Sequence, residues 1–535
     1  MNGSITELWA EKAKQILKSK RVNIEYISKR YHQIYFPWSN EYEKERLYFS
    51  LKIQQRPLII IKALNINELE DILNYVKRMN LTIRICGGRH STQLLSPEVL
   101  VDISLFSEIA IKGDNLIVGG GVRQGRANEF LFNEFQDENK RELYSHFGKY
   151  SYGRTSSFPG GSAQSVGVSG ISTIGGVGVL RRTFGLTIDS IKSFKITLPP
   201  TSTSKSKTVY VNSPTNKNFA RRTMKKGAEN YNDLFWALCG GGGNNFGIIS
   251  EITYSLEEVN EVIEYTITWP NLDFDNENHL PIIKNIIDTW VIKTHALENF
   301  YTEELDMYYN KGKCGIEMVG FFVVPINPQN RGTSRTLEIE AKRIVTAKMK
   351  YLTDIDTEIK GVITFKDTHK YSEMYREMVN NRVYHNFSII QGIFTDDINA
   401  DMYIKFIKNS ITLKGSTVIA IEAMGGKIKE GTVGCFGFRN SKFFINTNSA
   451  WEDLEESESF EKYCNNTTKE LLSTANGAYL GFPVAFEEMH PENKIYYGPT
   501  ENNNYPRLQD IKIKYDPLNI LTYSGTIKHP EVLNT

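Results

Sequence analysis

The chain has 535 residues, too many for one ordinary core and enough for a two-lobed unit or two to three domains that enclose a sizeable ligand. Lys plus Arg (63) nearly balance Asp plus Glu (62), so no global field attracts nucleic acid or an anionic membrane surface. The five cysteines (Cys86, Cys239, Cys314, Cys435, Cys464) are scattered without a CxxC pair, which argues against a metal site and for free thiols.

The opening stretch MNGSITELWAEKAKQILKSKR reads as a short charged helix. It lacks the continuous apolar run of a secretory signal, and no segment reaches the length of a membrane span, so a cytoplasmic protein is the default expectation. From Arg56 the pattern becomes regular. PLIIIKAL reads as a strand, NINELEDILNYVKRMN as an amphipathic helix with Asn65 or Asn67 near its cap, and LTIRIC as a second strand. After the turn CGGRHS come two short apolar strands, VLVDIS and NLIVGGGV, and a helix, RANEFLFNEF. The stretch 158–186, FPGGSAQSVGVSGISTIGGVGVLRRTFGL, is dense in Gly and Ser, but its spaced Val, Ile and Leu give it anchors that a flexible linker lacks. Next come a strand over Lys192–Pro199 and a polar hairpin at TSTSKSK. NDLFWALCGGGGNNFGIISEITYSL then joins a helix to a strand through four glycines, a run that lets the backbone approach something closely. From about Val259 to Gly481, longer helices and alternating strands such as STVIAIEAMGG and SKFFINTNSAW predict a second lobe built on an antiparallel sheet.

Singly, these glycine clusters are weak signals. Gly119-Gly120-Gly121 opens no helix with nucleotide-binding spacing, which argues against a nicotinamide-type site. In this order, however, RICGGRHS (84–91), SVGVSGISTIGGVGVLRRTFGLTIDSI (165–191), DLFWALCGGGGNNFGIIS (233–250) and NYPRLQDIKIKYDPLNIL (504–521) resemble the FAD-binding oxidoreductases of the vanillyl-alcohol oxidase type. Within them the resemblance is to the berberine bridge enzyme-like group, and it runs from roughly Arg56 to the C-terminus. It implies an α+β architecture: a two-subdomain PCMH-type FAD-binding domain with an inserted substrate domain on an antiparallel sheet covered by helices. The implied spans are an N-terminal helical extension (1–48), the FAD-binding domain (49–258), the substrate-binding domain (259–484) and a C-terminal segment (485–535) that returns to the FAD domain.

Pyrophosphate is best bound by unobstructed backbone N–H groups in glycine-rich turns. The resemblance therefore implies FAD-binding roles for Gly87, Gly88, Gly167, Gly170, Gly175 and Gly176, with Arg89, Ser91 and Val166 in the same loops. Gly240, Gly241, Asn245 and Ile248 would bring the chain to the rest of the cofactor. His90 aligns with the histidine that such families bond to the methyl group on the flavin's benzenoid ring, and Arg89 stands where many relatives have Gly. Ala163 stands where berberine bridge-like enzymes often carry a second tethering cysteine, so the resemblance implies FAD held covalently through His90 alone.

Catalysis needs a base to take the heteroatom proton while hydride leaves the carbon. Tyr479, in GAYLGFP, matches the family's YxN tyrosine, although Gly481 replaces the Asn; a packed strand aromatic is the alternative reading. A tyrosine base needs a cationic neighbour, and Lys427, in EAMGGKIKE, matches the family's GGK segment. Glu422 is the alternative base. Asn504 matches a residue near the flavin or caps the helix after it. Val166 occupies the position that gates oxygen access. The implied reaction is FAD-dependent oxidation of a small alcohol, sugar hydroxyl or amine with molecular oxygen as acceptor, hydrogen peroxide as product and no metal, nucleic acid or membrane partner. A dehydrogenase using another acceptor and a flavin-binding protein without turnover are the rival readings.

Overall fold

The computed structural model describes residues 2–90, 98–136, 155–214, 230–242, 244–259, 261–310, 312–325, 334–366, 369–370, 387–484, 494–521 and 527–530. The first sheet is laid down by the regular pattern after Arg56. Strands β2 (Ile59–Lys62) and β3 (Ile83–Cys86) flank β4 (Val99–Asp102) in parallel, and β1 (Gln33–Tyr35) pairs antiparallel with the outer edge of β2. The helix Ile66–Met79 connects β2 to β3. Asn65 caps it by accepting the Glu68 N–H, and Asn80 ends it in the left-handed region. Its stripe Leu69, Ile72, Leu73 and Val76 is buried against the sheet, each side chain contributing about 1.5–3 kcal/mol of apolar burial. Ala13, Leu17 and Ile27, from the helices Asn2–Ser19 and Ile24–Arg30, enter the same core. The 1–48 stretch, which sequence sets apart as an extension, thus shares a sheet with β2 and a core with Ile59, Ile83 and Val99.

The second sheet of this lobe is antiparallel, in the order β5 (Ile109–Lys112), β6 (Asn115–Gly119), β10 (Ile248–Ser255), β8 (Ile191–Leu198) and β9 (Lys207–Asn212). A two-stranded ribbon of β7 (Thr155–Ser157) and β11 (Glu257–Val259) borders it. Leu508, Ile511 and Tyr515, from the helix Tyr505–Tyr515, are buried in one cluster with Leu234, Phe235 and Ile252. This return is pinned by a fully buried ion pair, Lys512 with Asp516 at 2.7 Å. The same ammonium donates to the Asn245 and Leu521 carbonyls at 2.7 and 2.9 Å, which satisfies a charge that burial would otherwise make costly.

The second lobe is a nine-stranded antiparallel sheet in the order β15 (Val362–Phe365), β12 (Glu261–Thr268), β14 (Lys313–Val323), β13 (Tyr301–Asn310), β18 (Ser416–Ala423), β19 (Phe443–Trp451), β17 (Phe387–Thr395) and β20 (Ala475–Ala478), with β16 (His369–Lys370) also on β12. Alternation along the strands splits its faces. Tyr265, Leu305, Met318 and Ile421 point to helices such as Leu280–Thr294 and Ala400–Ser410. The other face carries a cross-strand row of Glu304, Glu422, Phe444 and Phe394.

Arg181 and Arg182 of the first lobe reach into this second one, each only 2% exposed. Arg181 donates to the carbonyls of Ala423 and Glu303, and Arg182 to those of Thr294 and Leu297. Five fixed donors per guanidinium suit them to gathering chain ends from several elements.

Candidate cofactor cleft and active site

Where β3 ends, Cys86–His90 turns and crosses the loop Val166–Gly170. The crossing is possible because neither chain has a side chain there. A Cβ on Gly88 would lie 2.2 Å from the Gly167 amide nitrogen, and one on Gly167 would lie 2.5 Å from that of Gly88. These two loops form one wall of a cleft. Gly170 lines it, and a Cβ there would meet nothing within 4 Å. Asn244, whose amide donates to the Ile85 carbonyl at 3.1 Å, closes one end. Tyr479–Phe482 form the opposite wall.

His90 lines the first wall with its ring stacked on Phe49, centroids 4.4 Å apart and planes 24° apart. Its Nε2 is buried with no hydrogen-bond partner among the described residues. Burial, helped by the Arg123 charge, lowers its pKa to about 4, so the imidazole is neutral and nucleophilic at pH 7. Cys86, beside it, is a different case: burial pushes its thiol up to about 12, which leaves it inert. Arg89 holds a left-handed backbone, with φ at 59°. Its guanidinium binds Asp102 and the carbonyls of Glu45 and Leu47. Ser91 lies outside the described residues.

On the opposite wall Tyr479 is buried among aromatic edges: Phe444 at 5.2 Å, Phe482 at 5.6 Å and Phe394 at 5.9 Å between centroids. Burial drives its hydroxyl above the usual range, with the Gly176 and Val177 backbone amides pulling the other way. Gly481 has no room for the Asn of the YxN pattern, since a Cβ there would sit 2.7 Å from both Ile174 and the Tyr479 ring.

Lys427 is not brought to this wall. It is half-exposed and pairs with Glu430, and it does not line the cleft, so Tyr479 gains no cation from it. Glu422, by contrast, sits on β18 beside Phe444, which carries the Tyr479 edge, and its carboxylate meets Arg181 at 3.0 Å. Burial raises its pKa and Arg181 opposes the rise. Two carboxylates that sequence did not single out join it on the sheet face. Glu304, directly across from Glu422, is raised by burial and by the Asp306 and Glu422 charges, and Asp306 is pushed up to about 7 by burial and by Glu317 and Glu422.

The four-glycine run goes elsewhere than expected. A Cβ on Gly240 would meet the Phe436 backbone at 2.5 Å, and one on Gly241 the Ala237 carbonyl at 2.4 Å, so both serve close packing between chain segments. Asn245 takes the Ile527 N–H on its side-chain oxygen and Ile248 is buried in the first core. None of these four lines the cleft. Gly175 and Gly176, at φ 109° and 76°, shape the turn behind Tyr479. Asn504 makes no side-chain cap; its amide donates to the Cys435 carbonyl, while the Asn503 side chain receives the Tyr505 N–H.

A glycine-walled cleft with an unpartnered neutral imidazole on its wall fits a large planar cofactor with a pyrophosphate. The family model "Berberine and berberine like" matches residues 478–528. The uncharacterized FAD-linked oxidoreductase YgaK of Bacillus subtilis is 22% identical over 513 residues, covering 91% of this chain and 94% of its own length. Among solved structures, GilR in complex with pregilvocarcin, an oxidoreductase that catalyses the terminal step of gilvocarcin biosynthesis, aligns over 93% of this chain and 100% of its own with a TM-score of 0.74 at 16% identity. A chitooligosaccharide oxidase aligns over 96% and 99% with a TM-score of 0.68 at 16% identity.

Proposed function

Because the chain belongs to the berberine bridge enzyme-like FAD-linked oxidoreductases, we propose that it is an oxidase of a small alcohol, sugar hydroxyl or amine, with FAD held covalently through His90 alone and dioxygen as acceptor. The observation that carries this reading is the buried, unpartnered Nε2 of His90 on the wall of a cleft whose other side is Tyr479. When bound, FAD supplies the two-electron acceptor ring.

The chain's own part is to position and to move a proton. Gly87, Gly88, Gly167 and Gly170 offer backbone to the cofactor, and His90 anchors it. Glu422 is the base of this reading: it sits beside Phe444, which edges Tyr479, and pairs with Arg181, whose charge opposes the rise that burial gives its pKa, whereas burial raises the Tyr479 phenol and Lys427 pairs away from it. The phenol of Tyr479 instead donates a hydrogen bond. Val166 lines the cleft with a compact side chain, which supports access for dioxygen. The test is acid precipitation of the purified protein followed by peptide mapping, with peroxide assayed against a panel of sugars, benzylic alcohols and amines. Flavin that washes away completely refutes the His90 bond. Reduced enzyme that stays bleached in air refutes the oxidase.

A further inference from the structure

We propose that Arg89 is the positioning residue for His90, fixing the imidazole for attachment to the flavin by tying the turn that carries it to two separate parts of the lobe. The inference rests on the proposed His90 attachment. Three contacts converge. The guanidinium binds the carboxylate of Asp102, at the end of β4, with both side chains nearly buried (10% and 3% exposed). It also donates to the Glu45 and Leu47 carbonyls, just before Phe49. The Arg89 carbonyl in turn accepts the Phe49 N–H at 3.0 Å, and Phe49 is the ring stacked on His90. One residue thus fixes the strand end, the stacking platform and the backbone from which the imidazole projects.

The backbone conformation argues the same way. A φ of 59° costs an L-residue roughly 1–2 kcal/mol that glycine does not incur. Arginine at this position is strained, and its side-chain bonds offset the strain. The fixed fork of donors, which lysine lacks, suits one carboxylate and two carbonyls at once.

Attachment joins an imidazole nitrogen to the methyl carbon on the flavin's benzenoid ring. With FAD bound, the methyl carbon would give up one proton and the imidazole another as the C–N bond forms, the ring would be left two electrons reduced, and dioxygen would take that electron pair with two protons as hydrogen peroxide. Such a bond forms only from close, aligned approach, and a displacement of about 1 Å costs on the order of 100-fold in rate.

The test compares wild type with Arg89→Gly, Asp102→Asn and His90→Ala in riboflavin-starved cells to which riboflavin is restored. It follows acid-stable flavin against total flavin bound in the native protein. Wild type is expected to carry acid-stable flavin on the peptide containing His90, and His90→Ala none. Wild type without it defeats the underlying reading. Given attachment in wild type, Arg89→Gly and Asp102→Asn are expected to melt lower, having lost one partner of a buried pair, and to bind flavin while forming the acid-stable bond about 100-fold more slowly. Attachment at the wild-type rate in Arg89→Gly overturns the proposal, as does parallel loss of all bound flavin. Should Arg89→Gly fail to fold, Arg89→Lys is read by the same criteria.

Discussion

One wall of the cleft is made from two short glycine turns, Cys86–His90 and Val166–Gly170, in which backbone meets backbone; the other is Tyr479–Phe482, backed by Phe444 of the wide sheet, whose strand neighbour across the ladder is Glu422. The first wall is local in sequence and, where Gly88 crosses Gly167, tolerates no added atom. The second depends on strand register, and its chemistry lies in side chains whose ionisation neighbours control. On the proposed reading the first wall governs how the cofactor is held and the second what is done to the substrate.

Substitutions can break that division. The largest effect is expected from Glu422→Gln, which should cut kcat by about 10²–10⁴-fold with flavin retained, whereas Tyr479→Phe costs about tenfold. Stopped-flow reduction under substrate decides between them, and a larger loss in Tyr479→Phe would return the base to the phenol. Next comes Arg181→Met, which leaves the Glu422 carboxylate and the carbonyls of Gly178, Ala423 and Glu303 without their donor. A loss of about 3–5 kcal/mol in urea unfolding is expected, because a buried charge loses its partner.

On the first wall, Gly88→Ala places a methyl group against the Gly167 amide. It should cost about 1–3 kcal/mol and lower flavin occupancy, measured from the native spectrum, without shifting the pH profile of turnover. A subtler effect is expected at Asp306. Its folded pKa, about 7, lies above the ordinary 3.8, so the folded state holds the proton more tightly. The stability it contributes is complete at low pH and is lost as pH rises through about 7. Asp306→Asn should flatten that decline in melting temperature between pH 4 and 8. The smallest effect belongs to Lys427→Met, within about 0.5 kcal/mol and without change in kcat, since its partner Glu430 is equally outside the cleft. A large loss of turnover there would restore it to the catalytic set.

The two walls were also unequally readable in the sequence. The strand-helix-strand pattern from Arg56 and the glycine turns are local signals, and the structure has the parallel β2, β4 and β3 with His90 at the end of the last. What failed were statements about destination. The four-glycine run announces close approach, and Gly240 does have a φ of 123°, but what it approaches is Phe436, nearly two hundred positions later. In YTEELDMYYN, alternation says that Glu303 and Glu304 face opposite ways without saying which way is the cleft. Only pairing decides: Glu303 turns to the Tyr265 hydroxyl, and Glu304 to Glu422. Lys427 was matched by motif, and the local turn that carries it points the ammonium at its own helix partner Glu430.

The buried pair of Lys512 with Asp516 bears on the order of events at the ribosome. The cofactor lobe begins with the first strands of the chain, yet the ammonium that secures the Asn245 carbonyl lies 267 residues beyond it. With loop closure over such a distance required, the lobe folds by high-contact-order steps and waits on nearly complete synthesis. The substrate lobe also needs long closures, since β13 pairs with β18 and β17 with β20. A chain halted before Tyr505 would carry every cleft residue from Arg84 to Phe482 yet lack the helix that packs on Leu234 and Phe235.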